Sequence, residues 1–158
     1  LLQSLGEVQK QTKAAETALL SKEKDFDAAT AAGQTLVEAK VTAALKVPLD
    51  EIVAVFASQN TALKFTASAN QALYLINGPE IAQRLTPGGG YLIDELLACE
   101  DDAAMIEQLY LHMYSRKPVP AERRYAQEFM ATAGDAKETA VQELMRTLLC
   151  SAEYRFVR

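Results

Sequence analysis

The residues best suited to metal binding or nucleophilic catalysis are one histidine, His112, and two cysteines, Cys99 and Cys150. Zinc catalysis needs about three protein ligands around an open position, and these side chains fall in different predicted helices. A nucleophile needs a base beside it, and His112 is the sole histidine for that role. Neither cysteine belongs to a C-x-x-C-H haem motif, so both are expected as small core residues, or as a pair in an oxidising compartment. We predict no catalytic residue, no metal ligand and no cofactor.

Two other patterns are typical of binding sites but lack essential residues. The glycines at 88–90 precede a predicted helix, yet neither a lysine nor a preceding strand completes a phosphate-binding loop, which favours a flexible connector. An acidic cluster lacks the ligand spacing and the glycine of a calcium loop, so we interpret it as helix caps and a solvated face. Its members are Asp94, Glu95, Glu100, Asp101 and Asp102.

A basic cluster lies around the connector that follows His112. Its members are Arg116, Lys117, Arg123 and Arg124. The chain as a whole has a net charge of −5, which argues against binding to a phosphate backbone. We therefore predict local ion pairs with Glu122 and Glu128, and no nucleic-acid partner.

The 158 residues suffice for one domain with a core of its own, or for a domain with an extension. No apolar stretch approaches the roughly 20 residues that a bilayer requires, so no membrane span is predicted. The chain opens at Leu1, without Met and without a basic-then-apolar segment. We interpret it as a fragment of a longer protein that carries no targeting signal within the fragment.

The apolar spacing is helical almost throughout, which predicts an all-α fold. Residues 1–65 carry seven Lys and no Arg, whereas Arg predominates afterwards, so a boundary is placed near Phe65. The region 1–65 is predicted as an alanine- and lysine-rich helical hairpin or extension, and 66–158 as a compact bundle of short helices. In the first region, a helical pattern breaks at Gly33, a second helix ends before Pro48, and a short helix runs to Ser58.

The second region has clearer helix boundaries. A helix over 68–76 is predicted to end in a left-handed stop at Asn77 and Gly78, and Pro79 opens the next helix. Asp101 caps a later helix, Pro120 opens another, and 141–149 forms the last. The helix after Asp101 has a predicted apolar face of Met105, Ile106, Leu109, Tyr110 and Met113, and the last helix has a stripe of Val141, Leu144, Met145, Leu148 and Leu149. The predicted core comprises Leu109, Tyr110, Phe129, Leu144 and Leu148. The inward face of the helix that begins at Pro120 is predicted as Ala121, Tyr125, Ala126, Phe129 and Met130.

Three stretches, taken together, resemble a C-terminal domain family of planctomycetes, domain of unknown function fifteen fifty-three. They read NQALYLINGP from Asn70, EQLYL through SRKP to Glu122 and Arg123, and QEL through SAEYRF to Phe156. The resemblance covers about residues 52–158. Its motif positions are Asn70, Gln71, Asn77, Gly78, Pro79, Arg116, Pro118, Glu122, Glu153 and Phe156. Val119 departs from the usual Ser or Thr helix cap, and Cys150 from a small polar residue.

The resemblance implies a large exported parent, often associated with cytochrome c modules, and a periplasmic, extracellular or cell-surface location. It implies no reaction. The leading hypothesis is a non-catalytic helical packing or interaction module, whose partners are upstream domains of the same parent or a separate protein. The alternatives are an accessory domain that completes the active site of a multidomain hydrolase, and a docking partner of an electron-transfer domain.

The first prediction concerns chemistry. Elemental analysis of the purified chain is expected to find no stoichiometric metal, because the lone histidine and the two cysteines do not form a ligand set. His112→Ala is expected to leave any measured activity unchanged, provided that circular dichroism shows an intact fold. Bound metal, or loss of activity on this substitution, would contradict a structural role for His112.

Overall fold

The computed structural model describes residues 1–3, 5–22, 26–56, 69–134 and 136–156, without the side chains of 69–70 and 155–156. This part of the chain contains nine helices and no strand, which confirms the all-α prediction. The helices are α1 (Glu7–Lys22), α2 (Ala31–Phe56), α3 (Ala69–Asn77), α4 (Pro79–Arg84), α5 (Leu92–Leu97), α6 (Asp102–Tyr114), α7 (Pro120–Thr132), α8 (Lys137–Cys150) and α9 (Ala152–Phe156).

The chain divides into two compact units. One is Glu7–Phe65, and the other joins Leu1–Gly6 to Thr66–Arg158. The boundary predicted near Phe65 lies outside the described residues. The first six residues are attached to the larger unit by a backbone hydrogen bond, in which the Leu92 N–H donates to the Leu5 carbonyl over 3.1 Å. Gly6 has φ +79° and leaves no room for a Cβ against the Leu92 backbone, so glycine is required there.

In the smaller unit, α1 and α2 pack against each other. Ala15 and Leu19 of α1 meet Val37 of α2, and Phe26 and Val41 cover the edges of this small core. These positions follow helical spacing on each helix, as expected for two amphipathic helices that bury one face.

The predicted break at Gly33 and the predicted stop before Pro48 are both wrong. α2 is continuous from Ala31 to Phe56, with Gly33 buried in its first turn and Pro48 in its interior. A proline disfavours the helical conformation of the residue before it without forbidding that conformation. Within a helix, the proline removes one backbone hydrogen bond. The strong helix formers before Pro48 and the burial of Leu45 favour continuation over termination. Ser58, the predicted end of a separate helix, lies outside the described residues.

The core of the larger unit is formed mainly by α5, α6 and α8. The predicted core residues Leu109, Tyr110, Leu144 and Leu148 are buried, which confirms four of the five. The apolar faces predicted for two helices are buried in full. They comprise Met105, Ile106, Leu109, Tyr110 and Met113 on α6, and Val141, Leu144, Met145, Leu148 and Leu149 on α8.

The prediction for α7 is wrong at three positions. Phe129 is 42% exposed and Tyr125 is 62% exposed, and Ala121 is also exposed. Only Ala126 and Met130 are buried, one turn apart on a narrow ridge. Because each residue advances the helix by about 100°, Tyr125 and Phe129 form the adjacent ridge, and this ridge faces away from the core.

The junction between α3 and α4 also differs from its prediction. Gly78 has φ −60° and ψ 129°, so it is extended rather than left-handed, and it serves as the N-cap of α4. A Cβ at Gly78 would overlap the Tyr74 carbonyl, which explains the glycine by close approach instead of by positive φ. Pro79 opens α4 and Asp101 caps α6, as predicted. The sequence prediction missed α9.

Two leucines two positions apart on α6 allow a matched test of this core. Leu109→Ala is expected to lower the free energy of unfolding by about 2–5 kcal/mol, because Leu109 is 0% exposed and truncation leaves a cavity. Leu111→Ala is the control, with 43% exposure and an expected cost within about 0.5 kcal/mol. Urea unfolding measures both, and equal costs would contradict the described orientation of α6.

Candidate functional site

The strongest cluster of polar side chains surrounds Arg116, in the connector between α6 and α7. Ser115 ends α6 in a left-handed conformation with φ 55°, and its N–H donates to the Leu111 carbonyl over 3.0 Å. Pro118 is buried two residues after Arg116. The left-handed cap and the proline fix the course of the connector, so Arg116 has a defined position beside α7 and α9.

The Arg116 guanidinium makes five hydrogen bonds, one for each of its N–H groups. Nε and Nη2 donate to the two carboxylate oxygens of Glu153, each over 2.7 Å. Nη1 and Nη2 donate to the two oxygens of Glu122, each over 2.8 Å. Nη1 also donates to the Lys117 carbonyl over 3.1 Å. Hydrogen bonds to Glu122, followed by those to Glu153, raise the pKa of Arg116, so the cation is locked in its charged state.

Two tyrosines of α6 lie against this guanidinium. The Arg116 Cζ is 5.7 Å from the ring centroid of Tyr110 and 5.3 Å from that of Tyr114, which is the range of a cation–π contact. The two rings meet edge to face, with centroids 5.4 Å apart. Burial raises the pKa of Tyr110 to about 12, with a further contribution from the Glu122 charge. Tyr110 is therefore neutral at physiological pH and unsuited to act as a base.

Tyr114 connects α6 to the end of the chain. Its hydroxyl donates to the Leu148 carbonyl over 3.2 Å and shares a 2.8 Å hydrogen bond with Ser151 Oγ. Ser151 Oγ in turn accepts from the Tyr154 N–H over 3.0 Å, in the first turn of α9. Burial raises the pKa of Tyr114 as well. This network fixes α9 on the same side of α6 as Arg116.

Glu122 has a second role at the start of α7. Its Oε2 accepts from the Val119 N–H over 2.8 Å, which is the carboxylate half of a capping box. Val119 has no side-chain cap to offer, so Glu122 compensates in part for the missing hydroxyl. The hydrogen bond from Arg116, and then that from Val119, lower the pKa of Glu122.

The other basic residues of the cluster form ion pairs close by. Lys117 Nζ lies 2.6 Å and Arg123 Nη2 3.4 Å from the carboxylate of Glu107, whose pKa is lowered chiefly by the Lys117 hydrogen bond. Arg124 Nε lies 3.8 Å from Glu128. The predicted pairing of this cluster with Glu122 and Glu128 is confirmed. Glu107 and Glu153 were missed as partners because they are distant in sequence from the residues they contact.

The motif positions of the resemblance divide into two groups. Arg116, Glu122 and Glu153 meet in one cluster. Pro118 lies in the same connector as Arg116. Gln71 is buried on α3, and Asn77, Gly78 and Pro79 form the α3–α4 junction. The side chains of Asn70 and Phe156 lie outside the described residues. Arg146 Nη1 donates to the Ile76 carbonyl over 2.5 Å and thereby ties α8 to the end of α3, a contact that the sequence analysis missed.

His112 and Cys99 both contact Gln108, and Cys150 has a different environment. His112 Nδ1 is 2.9 Å from the Gln108 carbonyl, one turn earlier on α6. Cys99 Sγ is 3.3 Å from Gln108 Oε1, and Cys150 lines a small apolar cavity of 110 Å³ beside Leu75. Neither Cys99 nor Cys150 forms a disulfide, and both are half-buried. Within the described ranges, no three His, Cys, Asp or Glu side chains are grouped so that they could hold a metal ion.

The glycine segment at 88–90 is organised around a carboxylate of the same chain. Asp94 accepts from the N–H groups of Gly88 and Gly90, each over 2.6 Å, and from that of Tyr91 over 3.1 Å. Gly88 and Gly90 have positive φ values of 86° and 72°, which turn their amides toward one point. The segment is thus a specific turn, and the Asp94 carboxylate occupies the position that an external anion would take.

An open groove of 420 Å³ lies along α6, lined in part by Glu107, Gln108, Leu111 and Arg123. Within this groove, Arg123 pairs with Glu107, and Asp101 caps α6. No protein-family model, curated protein or solved structure matches this chain.

None of the described helices is both long enough and apolar enough to cross a membrane.

Substitutions at two glutamates of α7 compare the contribution of the Arg116 cluster to stability with that of an ordinary surface ion pair. Glu122→Gln is expected to lower the free energy of unfolding by about 1–2 kcal/mol at pH 7, because it weakens the Arg116 pair and the cap at Val119. Glu128→Gln is the control, because its ion pair is long and exposed, and its cost is expected within about 0.5 kcal/mol.

The cost of Glu122→Gln is also expected to depend on pH. The folded pKa of Glu122 lies below the ordinary value of 4.5, so its stabilisation is complete above pH 4.5 and is lost as pH falls through the folded pKa. The difference in the free energy of unfolding between wild type and Glu122→Gln, measured with urea, should therefore become smaller below pH 4.5. A pH-independent difference, or one no larger than that of Glu128→Gln, would contradict this account of the cluster.

Proposed function

We propose that this chain is a non-catalytic helical packing module of a larger exported bacterial protein. In this proposal, the module binds upstream domains of its own parent or a separate protein. Export and the parent come from the resemblance, and the packing role comes from the distribution of polar and aromatic side chains.

The first support is that the motif residues whose chemistry would suit an active site are already bound to other groups of the same chain. All five N–H groups of Arg116 are bound by Glu122, Glu153 and a backbone carbonyl. A substrate carboxylate or phosphate would have to displace one of two bidentate partners to reach the guanidinium. The cluster therefore favours an architectural role.

The observation that carries the proposal is the outer face of α7. Tyr125 and Phe129 lie one turn apart, exposed, and Ala121 continues the same ridge. The Arg124 guanidinium lies 5.0 Å from the Tyr125 ring. Exposed aromatic residues beside an arginine are enriched in protein interfaces, because they bury a large apolar area at a small cost in side-chain entropy. We name Ala121, Tyr125 and Phe129 the α7 ridge.

Amide hydrogen exchange tests the proposal in the full-length gene product and in the 158-residue chain. The amides of α7 are expected to exchange more slowly in the full-length product, because a packed partner suppresses local opening of that helix. The α8 amides serve as the internal control, since the inner face of α8 is buried in the chain itself. If the partner is a separate protein, the same protection should appear on adding it to the chain.

A matched pair of substitutions gives this experiment its control. Phe129→Ser is expected to abolish the added protection of α7, whereas Leu20→Ser, at an exposed leucine of α1, should leave it unchanged. Identical α7 exchange in the chain and in the full-length product, with no partner that changes it, would contradict the packing proposal. A reaction of the full-length product that depends on Glu107 or His112 would favour the accessory-domain alternative.

A further inference from the structure

The outward side of α2 carries a second exposed face, distinct from the α7 ridge. Val37 and Leu45 are buried in the smaller unit. On the side of α2 away from Leu45, exposed residues recur at alternating spacings of four and three, which is the spacing of a coiled-coil seam. We name these residues the α2 seam: Leu36, Lys40, Ala43, Val47, Asp50 and Ala54. Leu36 is 41% exposed and Val47 is 66% exposed, so two large apolar side chains of the seam face outward.

The α2 seam is complementary to itself when two copies run antiparallel. Positions 36 and 54, 40 and 50, and 43 and 47 each have their midpoint at 45, so a two-fold axis on the seam side of α2, at the level of residue 45, brings each pair together. Leu36 then meets Ala54, and Val47 meets Ala43, which pairs each large side chain with a small one. Lys40 meets Asp50 twice in the dimer. A parallel pairing would oppose Lys40 to Lys40 and Asp50 to Asp50, which is unfavourable.

The two charged residues of the seam are available for this pairing. Within the described part of the chain, neither Lys40 nor Asp50 has an ion pair, and both are exposed. A lysine and an aspartate on an otherwise apolar seam set the register and the orientation of two helices more than they raise the affinity. Their positions at equal distances from residue 45 match a homodimer and specify no other partner.

We propose that a second copy of this chain packs on the α2 seam, with the two α2 helices antiparallel and Lys40 opposite Asp50. The seam spans about 27 Å along the helix, from the rise of 1.5 Å per residue over 36–54. One helix pair of this length gives an interface at the small end of specific complexes, so the dimer is expected to dissociate in the micromolar range. The proposal concerns the smaller unit and does not depend on the α7 ridge.

Sedimentation equilibrium of the 158-residue chain, with charge-reversed variants, tests both the dimer and its register. Lys40→Glu and Asp50→Lys each place like charges opposite each other twice, and each is expected to weaken dimerisation about tenfold. The double variant K40E/D50K restores opposite charges, so its dimer dissociation constant should lie within about twofold of the wild-type value. Lys46→Glu makes the same charge change as Lys40→Glu, on the same helix but off the seam. It should leave the dissociation constant of the dimer nearly unchanged.

Circular dichroism of each variant checks that α2 is intact. A second measurement needs no substitution: the wild-type dimer should weaken as salt rises, because its seam charges are screened. The proposal is overturned if the wild type stays monomeric to the millimolar range, or if the double variant is no tighter than the single ones. It is also overturned if Phe129→Ser abolishes the dimer while Lys40→Glu leaves its dissociation constant unchanged, a result that would assign the contact to the α7 ridge.

Discussion

The guanidinium of Arg116 is the contact on which the arrangement around α6, α7 and α9 depends. A planar guanidinium presents its donors at fixed angles, so two carboxylates that bind it in bidentate fashion have little freedom of position. Glu122 belongs to the first turn of α7 and Glu153 to α9, and the end of α6 supplies the aromatic surface below. One side chain therefore restrains three helices at once. A lysine would keep the charge but lose the paired geometry.

Polar residues are used in a similar way elsewhere in the larger unit. Glu122 caps α7 while it binds Arg116, Ser151 links Tyr114 to α9, and Asp94 fills the turn formed by the glycines at 88–90. Each group that resembles part of a reactive site has an internal hydrogen-bonding role. By contrast, the apolar side chains exposed on α7 have no such internal role, which is the reason for proposing packing rather than catalysis.

Sequence reasoning succeeded where one periodic pattern determines burial. The apolar face of α8 and that of α6 were both predicted, because each has a wide, unbroken stripe that must be covered. It failed for α7, where two adjacent ridges are both apolar and only tertiary packing decides which one is buried. At Pro48, a local rule about proline was outweighed by the helix on both sides of it.

The site shows the same division between local and distant information. Local ion pairs of the basic cluster with Glu122 and Glu128 were predicted because these residues are close in sequence, whereas Glu153 lies 37 residues from Arg116 and no pattern in a single sequence links the two. Similarly, the left-handed stop at Asn77 and Gly78 was inferred from residue types that also suit an extended cap. The close approach of the Tyr74 carbonyl, which selects glycine at that point, is visible only in three dimensions.

The attachment of Leu5 to Leu92 has a consequence for the order of events during synthesis. The Leu5 carbonyl accepts from an amide 87 residues later in the chain, and the whole smaller unit is made in between. At a ribosomal rate of about 5–20 residues per second, this interval is roughly 4–17 s. The helices α1 and α2 are synthesised before the partner of Leu5 exists. The N-terminal segment of the larger unit therefore waits, through the synthesis of the whole smaller unit, for the stretch of backbone that it binds.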